Sequence, residues 1–290
     1  MLHNVKGALA LMLAVTNVLV MAVPFFSTVI LKVLLPGAAV KRLLTGLITA
    51  LAWQYNRNNA WIFQGMSHIE WRIDGVESLR KDGSYLVIAN HQSWADIPVL
   101  QCVLEKHIPL LKFFLKKELL FVPILGAAWW ALDFPFMKRH SREYLEKHPE
   151  KRGEDLAETK RMCERFKHSS VSVMNFLEGT RFTPAKRDDQ QSPYQQLLKP
   201  KAGGAALVIS SMGGSIQELV DVTLRYDCDG PVTIWKLFSG QIPAIEVHIN
   251  TLPIPAHFAE RDYESDPDYR QEFKGWMDTL WKEKDQRLSA

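Results

Sequence analysis

Residues 85–96 read YLVIANHQSWAD. The first six form a short apolar run without charge, the pattern of a strand buried on both faces. The run ends in a polar loop, Asn90-His91-Gln92-Ser93-Trp94-Ala95-Asp96, and residues 97–105 then take helical spacing. A second run of this kind, residues 171–177, ends in Glu178-Gly179-Thr180-Arg181. Further out, residues 133–137, 219–226, 232–238 and 244–250 read as strands, and residues 154–166 and 203–211 as helices. Short apolar strands alternating with helices predict an α/β fold with a central, mostly parallel sheet flanked by helices. The chain closes on another helix. Ser265-Asp266-Pro267-Asp268 supplies its capping start, and Phe273, Trp276, Met277, Leu280 and Trp281 fall on one face, which suits docking on the core.

A chain of 290 residues can bury a core without staples. Its 47% hydrophobic and 23% charged residues exclude a disordered protein. A net charge of +3 excludes a strong polyanion binder, so no nucleic-acid partner is expected. Cys102, Cys163 and Cys228 lie far apart, which excludes a disulfide framework and any CxxC zinc or redox motif. No cluster of metal-ligand type appears, and no metal or cofactor is expected.

The N-terminus poses a different solvent problem. Residues 7–31, GALALMLAVTNVLVMAVPFFSTVIL, carry no charge. The run exceeds the roughly 20 residues that span a bilayer and the roughly 7–15 apolar residues of a cleaved export signal. Pro24 interrupts it and Pro36-Gly37 ends it, so one spanning helix and two half-helices in a shallow hairpin both fit. A second apolar stretch, residues 43–53, is too short to span and suits packing on the first. Lys6 precedes the run, whereas Lys32, Lys41 and Arg42 follow it, which favours a cytoplasmic C-terminal side. The expected organisation is a membrane anchor over residues 1–58 and a catalytic domain over residues 59–290.

The chemistry lies in the two loops. In the first, His91 and Asp96 are spaced H-x4-D. An imidazole can take a proton from a hydroxyl, and a carboxylate can fix its tautomer and offset the imidazolium charge. The spacing recurs at His257 and Asp262, but there it follows no apolar strand and is set aside. Asp96 also forms an S-x-x-D capping pair with Ser93, which needs no catalysis. In the second loop, Gly179 permits a turn and close ligand approach, Thr180 offers a hydroxyl, and Arg181 offers a planar fork for phosphate or carboxylate.

Taken together, NHxSxxD followed by EGTR, with Glu178 87 residues beyond His91, resembles the glycerolipid acyltransferases, the lysophosphatidic acid (1-acyl-glycerol-3-phosphate) acyltransferase family. The resemblance spans roughly residues 65–225. It implies transfer of a fatty acyl group from an acyl-CoA or acyl carrier protein thioester to the free hydroxyl of a lysophospholipid acceptor. His91 and Asp96 match the family's catalytic pair, and Glu178, Gly179, Thr180 and Arg181 match its acceptor-binding motif. Phe136-Met137-Lys138-Arg139 fills a block ending F-I-x-R, so Arg139 is expected to help hold the acceptor phosphate. Lys117-Glu118-Leu119 with Pro123 and Gly126 resembles K-x-E-L-x-x-x-P-x-x-G, and Lys201 with Gly203 matches a K-x-G. Three positions depart from the pattern. Leu177 stands where many members have Pro, and Asp133 where Gly is common. Val220-Asp221-Val222-Thr223 replaces a V-P-V/I element. The last, with Phe182-Thr183-Pro184-Ala185-Lys186 after the Arg, looks more like the lysocardiolipin-type branch.

The resemblance implies a membrane protein in phospholipid biosynthesis or remodelling, with membrane lipids as partners. A compact chain with one anchor points to a bacterial inner membrane, catalytic domain on the cytoplasmic side. Phe113, Phe114, Lys112, Lys116 and Lys117, with the apolar residues 121–132, suit a headgroup interface and core packing equally. Two other readings stay open. The same His–Asp pair could activate water in a thioester or ester hydrolase, or the chain could be an inactive membrane-attached binding protein.

Overall fold

A computed structural model describes residues 2–66, 68–137, 154–167, 169–263 and 265–289. Arg139 and Lys138 lie outside the described residues.

Strand β2 (Tyr85–Ala89) is buried along its whole length. Its alternate side chains feed two cores: Tyr85, Val87 and Ala89 one, Leu86 and Ile88 the other. It sits between β7 (Glu218–Asp227) and β6 (Ser172–Asn175) and is parallel to both. The sheet is completed by β1 (Glu70–Asp74), β3 (Leu111–Phe113) and β8 (Ala244–Pro253), in the order β1-β8-β7-β2-β6-β3. Among the described residues, only β7 and β8 pair antiparallel. Two further strands, β4 (Leu115–Lys116) and β5 (Phe136–Met137), form a separate small parallel pair. The strand expected over residues 133–137 thus shrinks to two residues. Asp133 has φ +57°, a left-handed conformation that favours glycine.

Helices cover both faces. One core packs α3 (Asp96–Leu104), through Val99, Leu100 and Leu104, together with Ala52 and Phe63 of α2 (Ala38–Met66). The other packs α5 (Glu154–Phe166), α7 (Gly203–Met212) and the C-terminal helix α9 (Pro267–Ser289). Phe273, Met277, Leu280 and Trp281 of α9 are buried as its spacing predicts, and the Asp266 carboxylate accepts the Tyr269 N–H at 2.9 Å as the cap. Two short helices, α4 (Leu125–Ala131) and α6 (Pro184–Asp189), complete the set with α8 (Ile234–Ser239).

Residues 232–238 correct the expectation of a strand. The Thr233 hydroxyl accepts the Lys236 N–H at 3.1 Å, and Gly240 closes α8 in the left-handed conformation. A cap and a stop at this spacing fix a helical turn that β-rich composition does not reveal.

The N-terminal segment is neither two half-helices nor a helix projecting away from the domain. Helix α1 (Leu2–Leu34) runs unbroken through Pro24 and turns back into α2. The Thr28 hydroxyl donates to the Pro24 carbonyl at 2.7 Å. Polar side chains tie the two helices together: Asn17 Nδ2 donates to Asn59 Oδ1 at 2.9 Å, and Asn58 Nδ2 to Asn17 Oδ1 at 2.8 Å. Near its start, His3 Nδ1 meets the Ser239 carbonyl at 3.0 Å, and Gly7 lies so close to Trp235 that a Cβ there would sit 2.9 Å from the ring. Near its other end, Val29, Lys32 and Val33 line a cleft with Phe134 of the domain. The hairpin therefore lies along the domain. Because α2 continues to Met66, the boundary expected at 58/59 falls inside a helix.

Candidate active site

Parallel pairing places the two loops together. Ile88 of β2 is in register with Asn175 of β6, so His91 and Glu178 each lie three residues past a matched pair. Their meeting is direct: the His91 backbone N–H donates to Glu178 Oε1 at 2.7 Å. Phe182 N–H returns a bond to the His91 carbonyl at 2.7 Å.

His91 Nδ1 lies 2.8 Å from Asp96 Oδ2. That oxygen also accepts the N–H groups of Gln92 (2.7 Å) and Ser93 (2.9 Å). Asp96 Oδ1 accepts the Tyr226 hydroxyl at 2.8 Å. Four donors therefore compensate a carboxylate that is 0% exposed. With Nδ1–H given to Asp96, the imidazole carries its lone pair on Nε2. Phe176 stacks on the ring with centroids 3.9 Å apart and planes 15° from parallel, which restricts its rotation. The capping role expected of Asp96 and its role toward His91 are thus filled by the same oxygen.

The loop is held from below by β7. Asn90 Nδ2 donates to the Leu224 carbonyl at 2.9 Å, and Asn90 Oδ1 accepts the Leu224 N–H at 2.8 Å. Gln92 Nε2 reaches the same carbonyl at 2.8 Å.

Glu178 does not face outward. It is 0% exposed, and its second oxygen accepts the Leu198 N–H at 2.9 Å. Burial pushes its carboxyl up to about 7, against the pull of those two backbone bonds. The geometry makes it a tie between loops. Gly179 turns at φ +67°, and a Cβ there would lie 3.2 Å from Lys201 Cδ and 3.3 Å from its Nζ. Thr180 Oγ1 accepts from Lys186 Nζ at 2.8 Å, and the same ammonium donates to the Arg181 carbonyl at 3.0 Å. The Arg181 guanidinium stands 5.3 Å over the Trp94 ring. Arg181 and Lys201 are both exposed. Three cations, Arg181, Lys186 and Lys201, thus converge on one glycine turn beside His91.

The site includes residues that sequence reading did not single out as functional. Tyr226 meets Asp96 from 130 positions away, and no local spacing announces that contact. Lys186 was visible only as part of the stretch after Arg181. The second H-x4-D match is accounted for differently: His257 Nε2 pairs with Glu272 Oε1 at 2.8 Å. Among the described residues, no group of three or more His, Cys, Asp or Glu could hold a metal ion.

The sequence pattern of the Acyltransferase family matches residues 70–227, more than half of the chain. The chain belongs to the Acyltransferase family. Among its relatives, Lysocardiolipin acyltransferase 1 of Gallus gallus is 26% identical over 218 residues, 70% of this chain and 52% of the relative. The 1-acyl-sn-glycerol-3-phosphate acyltransferase 3 of Arabidopsis thaliana is 27% identical over 208 residues, 65% of this chain and 52% of the relative. The chain spans about half the length of these curated Acyltransferase relatives. The crystal structure of the 1-acyl-sn-glycerophosphate (LPA) acyltransferase PlsC from Thermotoga maritima has the same fold. It aligns with a TM-score of 0.60 at 16% identity, over 99% of this chain and 98% of that one. Within this Acyltransferase chain, the matched segment holds both loops and all of β7.

Proposed function

We propose that the protein is a membrane-bound O-acyltransferase. It moves a fatty acyl group from an acyl-CoA or acyl carrier protein thioester to the free hydroxyl of a lysophospholipid, 1-acyl-glycerol-3-phosphate first among them. The observation that carries this reading is the His91–Asp96 pair set directly beside the cationic Gly179 turn.

In the proposed reaction, His91 Nε2 takes the acceptor hydroxyl proton as the oxygen attacks the thioester carbonyl. Asp96 holds Nδ1–H and offsets the imidazolium charge. The tetrahedral intermediate collapses, the C–S bond breaks, and the thiolate takes the proton back from His91. Arg181, with Lys201 and Lys186 at the same turn, would hold the acceptor phosphate and place its hydroxyl; Arg139 would add a further contact. Metal and cofactor have no assigned step. The backbone N–H groups of residues 91, 92, 93, 95 and 96 are already engaged. The oxyanion would therefore draw its donors from groups other than these five.

The hairpin supports attachment to one membrane face. Val20, Val23, Val33 and Leu43 are 61%, 69%, 77% and 74% exposed, and Phe121 and Trp130 add exposed rings on the domain itself. A docked helix with a bare apolar flank suits burial in the headgroup–acyl boundary. In this reading the membrane is a bacterial inner membrane and the domain faces the cytoplasm. A cleft of about 910 Å³ between the hairpin and the domain has apolar walls and a rim of Lys32, Lys41, Lys117 and Arg165. That combination suits an anionic amphiphile. His91 and Arg181 do not line it, so it would hold the lipid's approach and leave the reaction to the turn.

The test is a transfer assay. Detergent-purified protein receives labelled acyl-CoA, or acyl carrier protein thioester, with a panel of lysolipids, and His91→Ala is the control. Wild type should acylate a phosphate-bearing lysolipid, and the variant should lose about 10²-fold or more. Release of free fatty acid without acceptor would replace this reading with a hydrolase.

A further inference from the structure

The C-terminal helix α9 carries a lysine into the core. Lys284 is 1% exposed. Its ammonium donates to the Val222 carbonyl at 2.6 Å and to Thr223 Oγ1 at 3.1 Å, and lies 2.7 Å from Asp221 Oδ1 as an ion pair. Asp221 is itself buried at 6% exposure and is the residue that breaks the V-P-V pattern. Two charges in a core cost desolvation that ordinary apolar packing avoids. What they hold is the middle of β7. One to three residues further on, β7 supplies the Leu224 backbone that grips Asn90 and Gln92, and the Tyr226 hydroxyl that grips Asp96.

One turn earlier on the same helix, Trp281 Nε1 donates to the Leu198 carbonyl at 3.1 Å. The Leu198 N–H in turn donates to Glu178, whose other oxygen holds the His91 N–H. Helix α9 thus reaches the His91 loop by two separate routes.

Resting on the acyl-transfer reading of that loop, we propose that Lys284 is a positioning residue, whose ion pair with Asp221 sets β7 and thereby the Leu224 and Tyr226 contacts that hold the His91 loop.

The experiment compares wild type with the double variant Asp221→Leu/Lys284→Met, which removes both charges and keeps the volume. The expected result is a thermal midpoint near that of wild type, kcat lowered about 10-fold and acceptor KM unchanged. The His91 imidazole signals of isotope-labelled protein in detergent should shift as well. A folded double variant with wild-type kcat and His91 signals overturns the proposal. Should the double variant not fold, Thr223→Val removes a single acceptor of the ammonium. A smaller loss of kcat, about 3-fold, with shifted His91 signals supports the proposal, and wild-type values for both overturn it. If wild type itself transfers no acyl group, the acyl-transfer reading fails, and the His91 signals still decide whether Lys284 positions the loop.

Discussion

Glu178→Gln isolates what a buried carboxylate does between the two loops. In the folded protein its carboxyl is pushed from 4.5 up to about 7 by burial. A carboxyl whose folded pKa exceeds its unfolded one binds its proton more tightly when folded. Its contribution is therefore fully present below pH 4.5 and is lost as pH rises to about 7. At about 1.4 kcal/mol per pH unit, the loss is about 3 kcal/mol. Gln carries no charge and no such slope, but it offers one carbonyl oxygen to two N–H groups, the His91 N–H at 2.7 Å and the Leu198 N–H at 2.9 Å. Orphaning one of them costs about 1–3 kcal/mol at every pH. The variant should accordingly be less stable than wild type at pH 5 and draw level with it, or pass it, by pH 8. Thermal midpoints of both proteins in one detergent, from pH 5 to pH 8, measure this difference directly, and groups common to both cancel. Activity should fall at all pH values, because the loop carrying His91 is released on one side. Parallel midpoint curves would refute the assignment of a buried, proton-linked carboxyl.

Other outcomes follow from the same geometry. Tyr226→Phe removes the hydroxyl that Asp96 Oδ1 accepts; at about 1–2 kcal/mol, kcat should fall about 5- to 30-fold with little change in acceptor KM, as steady-state transfer kinetics would reveal. Arg181→Ala should raise KM for phosphate-bearing acceptors at least 10-fold and leave a phosphate-free lysolipid less affected, a contrast readable in the acceptor panel. Gly179→Ala forces a side chain into φ +67° against Lys201; it should cost about 1–2 kcal/mol, or a midpoint drop of about 2–4 °C, and weaken acceptor binding.

Much of the architecture was written locally. β2 and β6 each show a short uncharged run, and the residues that leave them are the ones the structure brings together. His91, Asp96 and Arg181 were legible because strand, loop and helix start follow one another within a dozen residues. Other features depend on distance. Tyr226 reaches the loop from β7, and Lys284 reaches β7 from α9, and only three-dimensional packing reveals them. Glu178 read as an acceptor ligand by its motif, whereas burial turns it inward. Residues 232–238 misled because a β-branched run, Val232-Thr233-Ile234, leads into a helix whose cap and stop are single residues. Pro24 read as a break, yet α1 absorbs it where α2 and the domain pack alongside.

The register of β2 with β6 fixes where the chemistry stands by the spacing of adjacent strands, about 4.8 Å, and not by the contour of the chain joining them. The stretch between the end of β3 and the start of α5 is in that sense a cassette. It can lengthen, shorten or be exchanged while His91 and Arg181 keep their separation. It contains β4, α4 and β5. A grafting experiment that swaps residues 114–153 between relatives should alter the choice of acceptor or acyl chain and leave the proton-transfer machinery intact. Divergence of substrate preference in this fold need not pass through a damaged catalyst.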